Sequence, residues 1–230
     1  MTVVQLATGA QARLTGPEGG TTVVCLNGGT ARPLPGTWGA SVAWLVGHLA
    51  PRLPGHRFVE VRYRTRSWRN LEPCVADALA AVETFGGSGP VTLLGYSMGG
   101  AVAVAAALRQ PRVDQIVGLA PWIPDRMDLS GLRGRRLDVF HGTLDGWLPG
   151  IPGVSPRNSQ DGVRRAAAAG ALARHTMLPG AMHAVAFTLP WGGLMPAPRA
   201  RAWLRAVEGA LSAPGRGRDG AGRAAPAWGS

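Results

Sequence analysis

The sequence predicts an α/β protein: a mostly parallel, doubly wound sheet with helices on both faces, an N-terminal β-hairpin and no large lid. Three observations carry the prediction. From Thr22 onward, short apolar runs of strand length alternate with longer runs of helical period. Runs such as Val23-Val24-Cys25-Leu26 are continuously apolar, as in strands covered on both faces. Alternation of this kind joins parallel strands through right-handed crossovers.

The elements follow in order. Residues 2–7 and 12–14, joined at Thr8-Gly9, read as the hairpin. Residues 23–26 form a buried strand that ends at Asn27-Gly28-Gly29. Val42, Leu45, Val46 and Leu49 repeat at helical spacing, and residues 58–63 read as a strand. Leu71, Val75, Ala78, Leu79 and Val82 mark one helical face. A strand at 91–94 leads into an Ala-rich helix at 98–109. Strands are expected at 116–120 and 137–141, a weak Ala-rich helix at 162–173, and a short strand at 176–178. Ala200, Trp203, Leu204, Val207 and Leu211 make a last amphipathic helix.

Composition bounds the class. At 46% hydrophobic with eight Trp, the chain is too apolar to be disordered. A domain of its 230 residues buries enough surface to need no disulfides. Cys25 and Cys74 stand apart, with no CxxC and no Cys/His cluster, so reduced core thiols are expected and a metal site is not. No apolar run is long enough to span a membrane. The start reads as a strand rather than a signal peptide, which makes a cytoplasmic location the default. One domain is expected over 1–212. Residues 213–230, rich in Gly, Ala, Arg and Pro, read as a disordered tail.

The net charge is +11, and every one of the 24 basic residues is Arg. A balance this positive raises nucleic acid or an acidic substrate. Arg without Lys, beside abundant Gly, Ala and Pro, also fits a compositional bias spread over solvated surface. No helix-turn-helix, zinc or aromatic RNA-binding signature accompanies the charge, so no specific nucleic-acid partner is expected.

Ligands of open α/β sheets bind beyond the carboxyl ends of the strands. Gly95-Tyr96-Ser97-Met98-Gly99 lies there, fed by one strand and left by one helix. The small residues two before and two after Ser97 let the backbone turn without a Cβ clash, leaving the hydroxyl exposed. After later strands come His141-Gly142-Thr143-Leu144-Asp145 and Leu178-Pro179-Gly180-Ala181-Met182-His183.

On these residues the chain resembles the α/β-hydrolase family from Thr22 to about Leu211, in the chain order Ser, Asp, His. The resemblance implies Ser97 as nucleophile, Asp145 as acid and His183 as base. Asp125 and Asp128 are the rival acids, and His175 is the rival base. The oxyanion donors it implies are the Met98 N–H and the Gly29 N–H. Many members carry His-Gly where this chain has Asn27-Gly28. No metal or organic cofactor is required.

Two further groups lie near strand ends. Trp38, Trp68, Trp122, Trp147 and Trp191 are candidates for an apolar rim, with Trp38, Trp122 and Trp147 the substrate-binding candidates. Arg62, Arg64, Arg66 and Arg69 form the densest basic cluster, with Arg64 and Arg69 placed to fork onto an anionic substrate group. A solvated face, partly neutralised by Glu60 and Glu72, accounts for the same run. Only about residues 121–136 separate two strands where the family's cap usually sits, too few for a sizeable helical lid. The expected function is a serine hydrolase, of carboxylesterase or thioesterase type, acting on a small acyl ester or thioester. The alternatives are a non-catalytic binding module, or an acyltransferase or C–C hydrolase using the same triad.

Overall fold

The computed structural model describes residues 2–146 and 153–213. Strands β1 (Thr2–Gln5) and β2 (Gln11–Thr15) form the expected hairpin. There follow β3 (Thr21–Leu26), a two-residue β4 (Leu34–Pro35), α1 (Ala40–Leu49), β5 (His56–Arg62), a two-residue β6 (Thr65–Arg66) and α2 (Glu72–Phe85). Next come β7 (Val91–Tyr96), α3 (Met98–Arg109), β8 (Val113–Leu119) and β9 (Arg136–Gly142). The chain continues through α4 (Pro156–Ala168), β10 (Leu172–Leu178), the small hairpin β11 (Ala186–Thr188) and β12 (Leu194–Pro196), and α5 (Ala200–Ser212).

Eight strands pair in the order β1-β2-β5-β3-β7-β8-β9-β10. From β5 to β10 every pairing is parallel, and the hairpin adds antiparallel strands at one edge. Alternate side chains of β3 go to opposite faces, as strand geometry requires. Val24 and Leu26 join the apolar layer under α2 and α3; Val23 and Cys25 join the layer under α1 and α5. The parallel order brings the ends of β3, β7, β9 and β10 to one edge of the sheet, where the loops of interest sit.

Both cysteines are buried free thiols. Burial, with the Glu60 charge adding to it, pushes the Cys25 thiol well up. Burial raises Cys74 to about 11, so neither is a ready nucleophile.

The fourth helix departs from expectation. It runs over Pro156–Ala168, not 162–173. The Ala-rich stretch suggested continuity past residue 168, but Gly170 at φ 91° ends the helical path. Leu172–Leu178 is then one seven-residue strand rather than a three-residue one. As an edge strand it exposes Leu172 and Arg174 and leaves Ala173 and His175 half-buried, which hides it from an apolar-run criterion. The connection from β8 to β9 holds only a short 3-10 turn at Ser130–Leu132, so no helical lid is built there. Among the described residues no helix is long and apolar enough to cross a membrane.

Candidate active site

β7 delivers the chain into Ser97, which turns it sharply into α3 with φ 56° and ψ −121°. A non-glycine residue in such a region stores roughly 1–3 kcal/mol, and its surroundings must hold it there. Here the Ser97 N–H donates to the Leu119 carbonyl at 2.9 Å, and the Ser97 carbonyl accepts from Gly100 N–H at 2.9 Å and Trp122 N–H at 3.1 Å. Glycine is required on both sides. A Cβ at Gly95 would overlap the Gly99 carbonyl, and one at Gly99 would overlap the Leu26 carbonyl. Ser97 itself is half-buried, at the N-terminal end of α3, where the helix dipole favours a developing anion.

The loop after β3 lies against this turn. A Cβ at Gly28 would stand 3.4 Å from Ser97 Cβ, and one at Gly29 would overlap the Met98 side chain. Asn27 is buried; its Nδ2 donates to the Val61 carbonyl at 3.2 Å and its backbone carbonyl accepts from Tyr63 O–H at 3.4 Å. The segment after β6 closes over the loop, with Trp68 N–H donating to the Thr30 carbonyl at 3.1 Å.

The loops after β9 and β10 bring Asp145 and His183 together. Leu144 N–H donates to the Ala181 carbonyl at 2.9 Å, and Gly180 N–H donates to Thr143 Oγ1 at 2.8 Å. Gly142 permits the approach, since a Cβ there would overlap the Ala181 carbonyl. His183 Nδ1 then meets Asp145 Oδ2 at 2.7 Å. Val154 N–H donates to Asp145 Oδ1 at 3.1 Å, and His141 Nε2 lies 2.8 Å from Oδ2. Burial works to raise the Asp145 carboxyl, but the hydrogen bonds and favourable electrostatics of His141 and His183 outweigh it and hold the group below its ordinary value. The carboxylate is therefore ionised at neutral pH and acts only as an acceptor.

His183 is also fixed from its other side. The Tyr96 ring tilts against it at 5.2 Å between centroids, one residue before Ser97. Burial pushes the Tyr96 phenol up to about 12, opposed by a hydrogen bond with Ser41 and reinforced by the Asp145 charge. Ser41 Oγ accepts from Val185 N–H at 3.0 Å and so pins the histidine loop to α1. Ser41, Tyr96 and Val154 carried no sequence signal, because each contributes through tertiary placement.

The rival residues lie elsewhere. Asp128 is exposed and accepts from the Ser130 N–H and O–H at 2.9 and 3.0 Å. Asp125 is exposed, and its carbonyl accepts from Arg165. His175 Nε2 lies 2.9 Å from Ser159 Oγ, away from Asp145.

Among the tryptophans, Trp122 donates its backbone N–H to the Ser97 carbonyl, Trp68 its backbone N–H to the Thr30 carbonyl, and Trp191 is 82% exposed on the β11–β12 connection. The Trp38 ring lies under the Arg13 guanidinium at 4.7 Å. Trp147 and residues 214–230 lie outside the described residues. In the arginine run, Arg64 donates through its N–H and Nε to the buried Asp77 carboxylate at 2.9 and 2.8 Å. Arg62 donates to the Gly36 carbonyl and to Gln11, while Arg69 is exposed. Glu60 and Glu72 pair with Arg13 and Arg109 instead of with this run. Among the described residues no group of three His, Cys, Asp or Glu side chains is arranged to hold a metal ion.

Comparison with known proteins gives the same architecture. The family model for serine aminopeptidases (S33) matches residues 60–151, less than half of the chain. No curated protein matches the sequence significantly. Solved structures match over nearly all of it. A protein of unknown function from Agrobacterium tumefaciens is 18% identical, with 91% of this chain and 94% of that one covered and a TM-score of 0.64. Est1E from Butyrivibrio proteoclasticus is 12% identical over 92% and 98% of the two chains, with a TM-score of 0.66. Carboxyl esterase 2 from the mycorrhizal fungus Tuber melanosporum is 15% identical over 90% and 82%, with a TM-score of 0.66. The sheet order and these matches together show that the chain has the α/β-hydrolase fold.

Proposed function

We propose that the protein is a serine hydrolase that cleaves an ester or thioester of a small, partly apolar substrate through an acyl-enzyme on Ser97. The observation that carries the proposal is the 2.7 Å bond from His183 Nδ1 to the buried Asp145 carboxylate, beside the strained Ser97 turn. An ionised carboxylate on Nδ1 places the ring's free acceptor at Nε2. Ser97 Oγ attacks the substrate carbonyl carbon and its proton passes to His183 Nε2. The carbon–oxygen or carbon–sulfur bond then breaks, and the leaving group takes that proton. Water, deprotonated by the same nitrogen, releases the acid and restores Ser97. The Met98 and Gly29 N–H groups serve as oxyanion donors, a role worth several kcal/mol in such sites.

Esterases among the similar structures support an ester substrate, and the S33 match adds peptides to the candidates. Trp122 is the first choice for the apolar rim, with Trp38 and Trp147 further candidates. Arg69, and the exposed part of Arg64, are the candidates for an anionic group on the substrate. The test is a screen of short acyl esters, thioesters and aminoacyl substrates with wild type and Ser97→Ala, and labelling of Ser97 by an organophosphonate. Full activity in Ser97→Ala would refute the mechanism. Labelling without hydrolysis, and acyl transfer to an added alcohol or amine, would favour an acyltransferase. Neither labelling nor turnover would favour a binding module.

A further inference from the structure

We infer that His141 is a positioning residue for the acid: its Nε2–H holds Asp145 Oδ2 in place and competes with His183 for that oxygen, and Ser159 fixes its tautomer. The inference rests on the proposed roles of Ser97, Asp145 and His183.

The atoms around His141 determine where its proton lies. The ring is fully buried. Its Nε2 faces two acceptors, Asp145 Oδ2 at 2.8 Å and the Val154 carbonyl at 2.9 Å. Neither an ionised carboxylate nor a carbonyl can donate, so Nε2 carries hydrogen. On the other side, Nδ1 lies 2.8 Å from Ser159 Oγ, itself fully buried on α4. Ser159 has one proton and three neighbours: His141 Nδ1, His175 Nε2 at 2.9 Å and the Pro156 carbonyl at 3.0 Å. One arrangement satisfies both rings without a buried imidazolium. Ser159 donates to His141 Nδ1, and His175 donates its Nε2–H to Ser159. Burial lowers His175, in keeping with a neutral ring there. The result is a continuous chain from His183 through Asp145, His141 and Ser159 to His175, with His141 and His175 also stacked at 6.2 Å.

The consequence falls on His183. Both histidines address the same oxygen of Asp145, while Oδ1 is taken by Val154 N–H. A proton donated by His141 draws electron density from the oxygen that must stabilise the His183 imidazolium. It also anchors the carboxylate plane. Among the described residues, the titratable groups facing this pair are His183 from the loop after β10, His175 from β10 and Tyr96 from β7; α4 contributes the hydroxyl of Ser159. His141→Phe therefore does two things. It loosens the carboxylate, and it leaves Asp145 Oδ2 to His183 alone, so the imidazolium is favoured.

The experiment compares wild type, His141→Phe, His141→Gln and Ser97→Ala. In His141→Phe the expected kcat falls about tenfold with KM nearly unchanged, and the acid limb of kcat/KM moves up by about half a pH unit or more. His141→Gln, whose side-chain NH₂ reaches the Nε2 position, restores most of the rate and returns the limb. Nitrogen-detected imidazole spectra of wild type are expected to show His141 carrying its hydrogen on Nε2. A limb unmoved in His141→Phe, or an Nδ1–H tautomer in wild type, overturns the inference while Ser97-dependent activity leaves the proposed function standing. Activity that persists in Ser97→Ala overturns both. If the Phe variant does not fold, the wild-type tautomer and the Gln profile decide alone.

Discussion

Asp145 and His183 meet at 2.7 Å although 38 positions separate them in the chain. The carboxylate reads only as an acceptor here, and an amide would not. Asp145→Asn preserves the shape but permits the wrong imidazole tautomer, so kcat should fall by about 10⁴, the scale seen for such a change in serine proteases, with KM little altered. Steady-state kinetics at pH 7 to 8 checks this. A loss of less than tenfold would mean that the Asp145 carboxylate does not set the tautomer of the catalytic histidine.

Two pKa directions set different pH windows for stability. Asp145 is depressed in the fold, so its contribution is present above the ordinary carboxylate value near 4 and is lost as pH falls through the lower folded value. His175 and His56 are both lowered, chiefly by burial, and the unfolded chain binds their protons first. Their effect is thus a loss of stability that begins as pH falls below about 6.5. Thermal unfolding of wild type should therefore decline from pH 7 to 5, and His175→Asn should flatten part of that decline. An identical slope in the variant would count against a neutral His175.

The glycines at the site separate folding from chemistry. In Gly95→Ala the new Cβ meets the backbone of Gly99 and Gly100, which cannot yield, so a stability loss of several kcal/mol or failure to fold is expected. In Gly29→Ala it meets the Met98 side chain, which can shift. That variant should fold, losing about 1–2 kcal/mol, while kcat drops roughly 10- to 100-fold through a displaced oxyanion donor. Urea unfolding beside kcat measurements distinguishes the two. Equal stability loss in both would contradict the packing described.

The legible features were those with local causes. The helix at Met98–Arg109 follows from its alanines and from the glycine turn before it, and the buried strands follow from uninterrupted apolar runs. The pairing of Asp145 with His183 was expected from the order of their loops, but nothing local specifies it; Gly142 and the bonds among Thr143, Leu144, Gly180 and Ala181 bring the loops together. Most of β10 is hidden in the sequence because an edge strand tolerates Arg174 and His175 facing outward or into polar contacts. The hairpin of β11 and β12 leaves no apolar pattern for a similar reason, since Leu194 and Met195 are exposed and its connection rests on Gly192 and Gly193 at positive φ. The arginine run is contiguous in sequence, whereas the fold gives Arg62, Arg64 and Arg69 separate environments.

That division yields the last prediction. Asp77 is fully buried and takes two hydrogen bonds from Arg64, one of them from the guanidinium. Arg64→Met removes the guanidinium and leaves a buried carboxylate with its backbone donor alone. The cost should be about 1–3 kcal/mol, below that of a fully buried pair because the Arg64 side chain is 43% exposed. Arg69 is exposed, and Arg69→Met should change stability by less than about 0.5 kcal/mol. If the run receives an anionic substrate, Arg69→Met should instead raise KM several-fold for an ester carrying a carboxylate and leave KM for its neutral counterpart unchanged. Urea midpoints with both substrates measure the two effects separately. Equal KM changes for charged and neutral esters would assign Arg69 to the solvated surface.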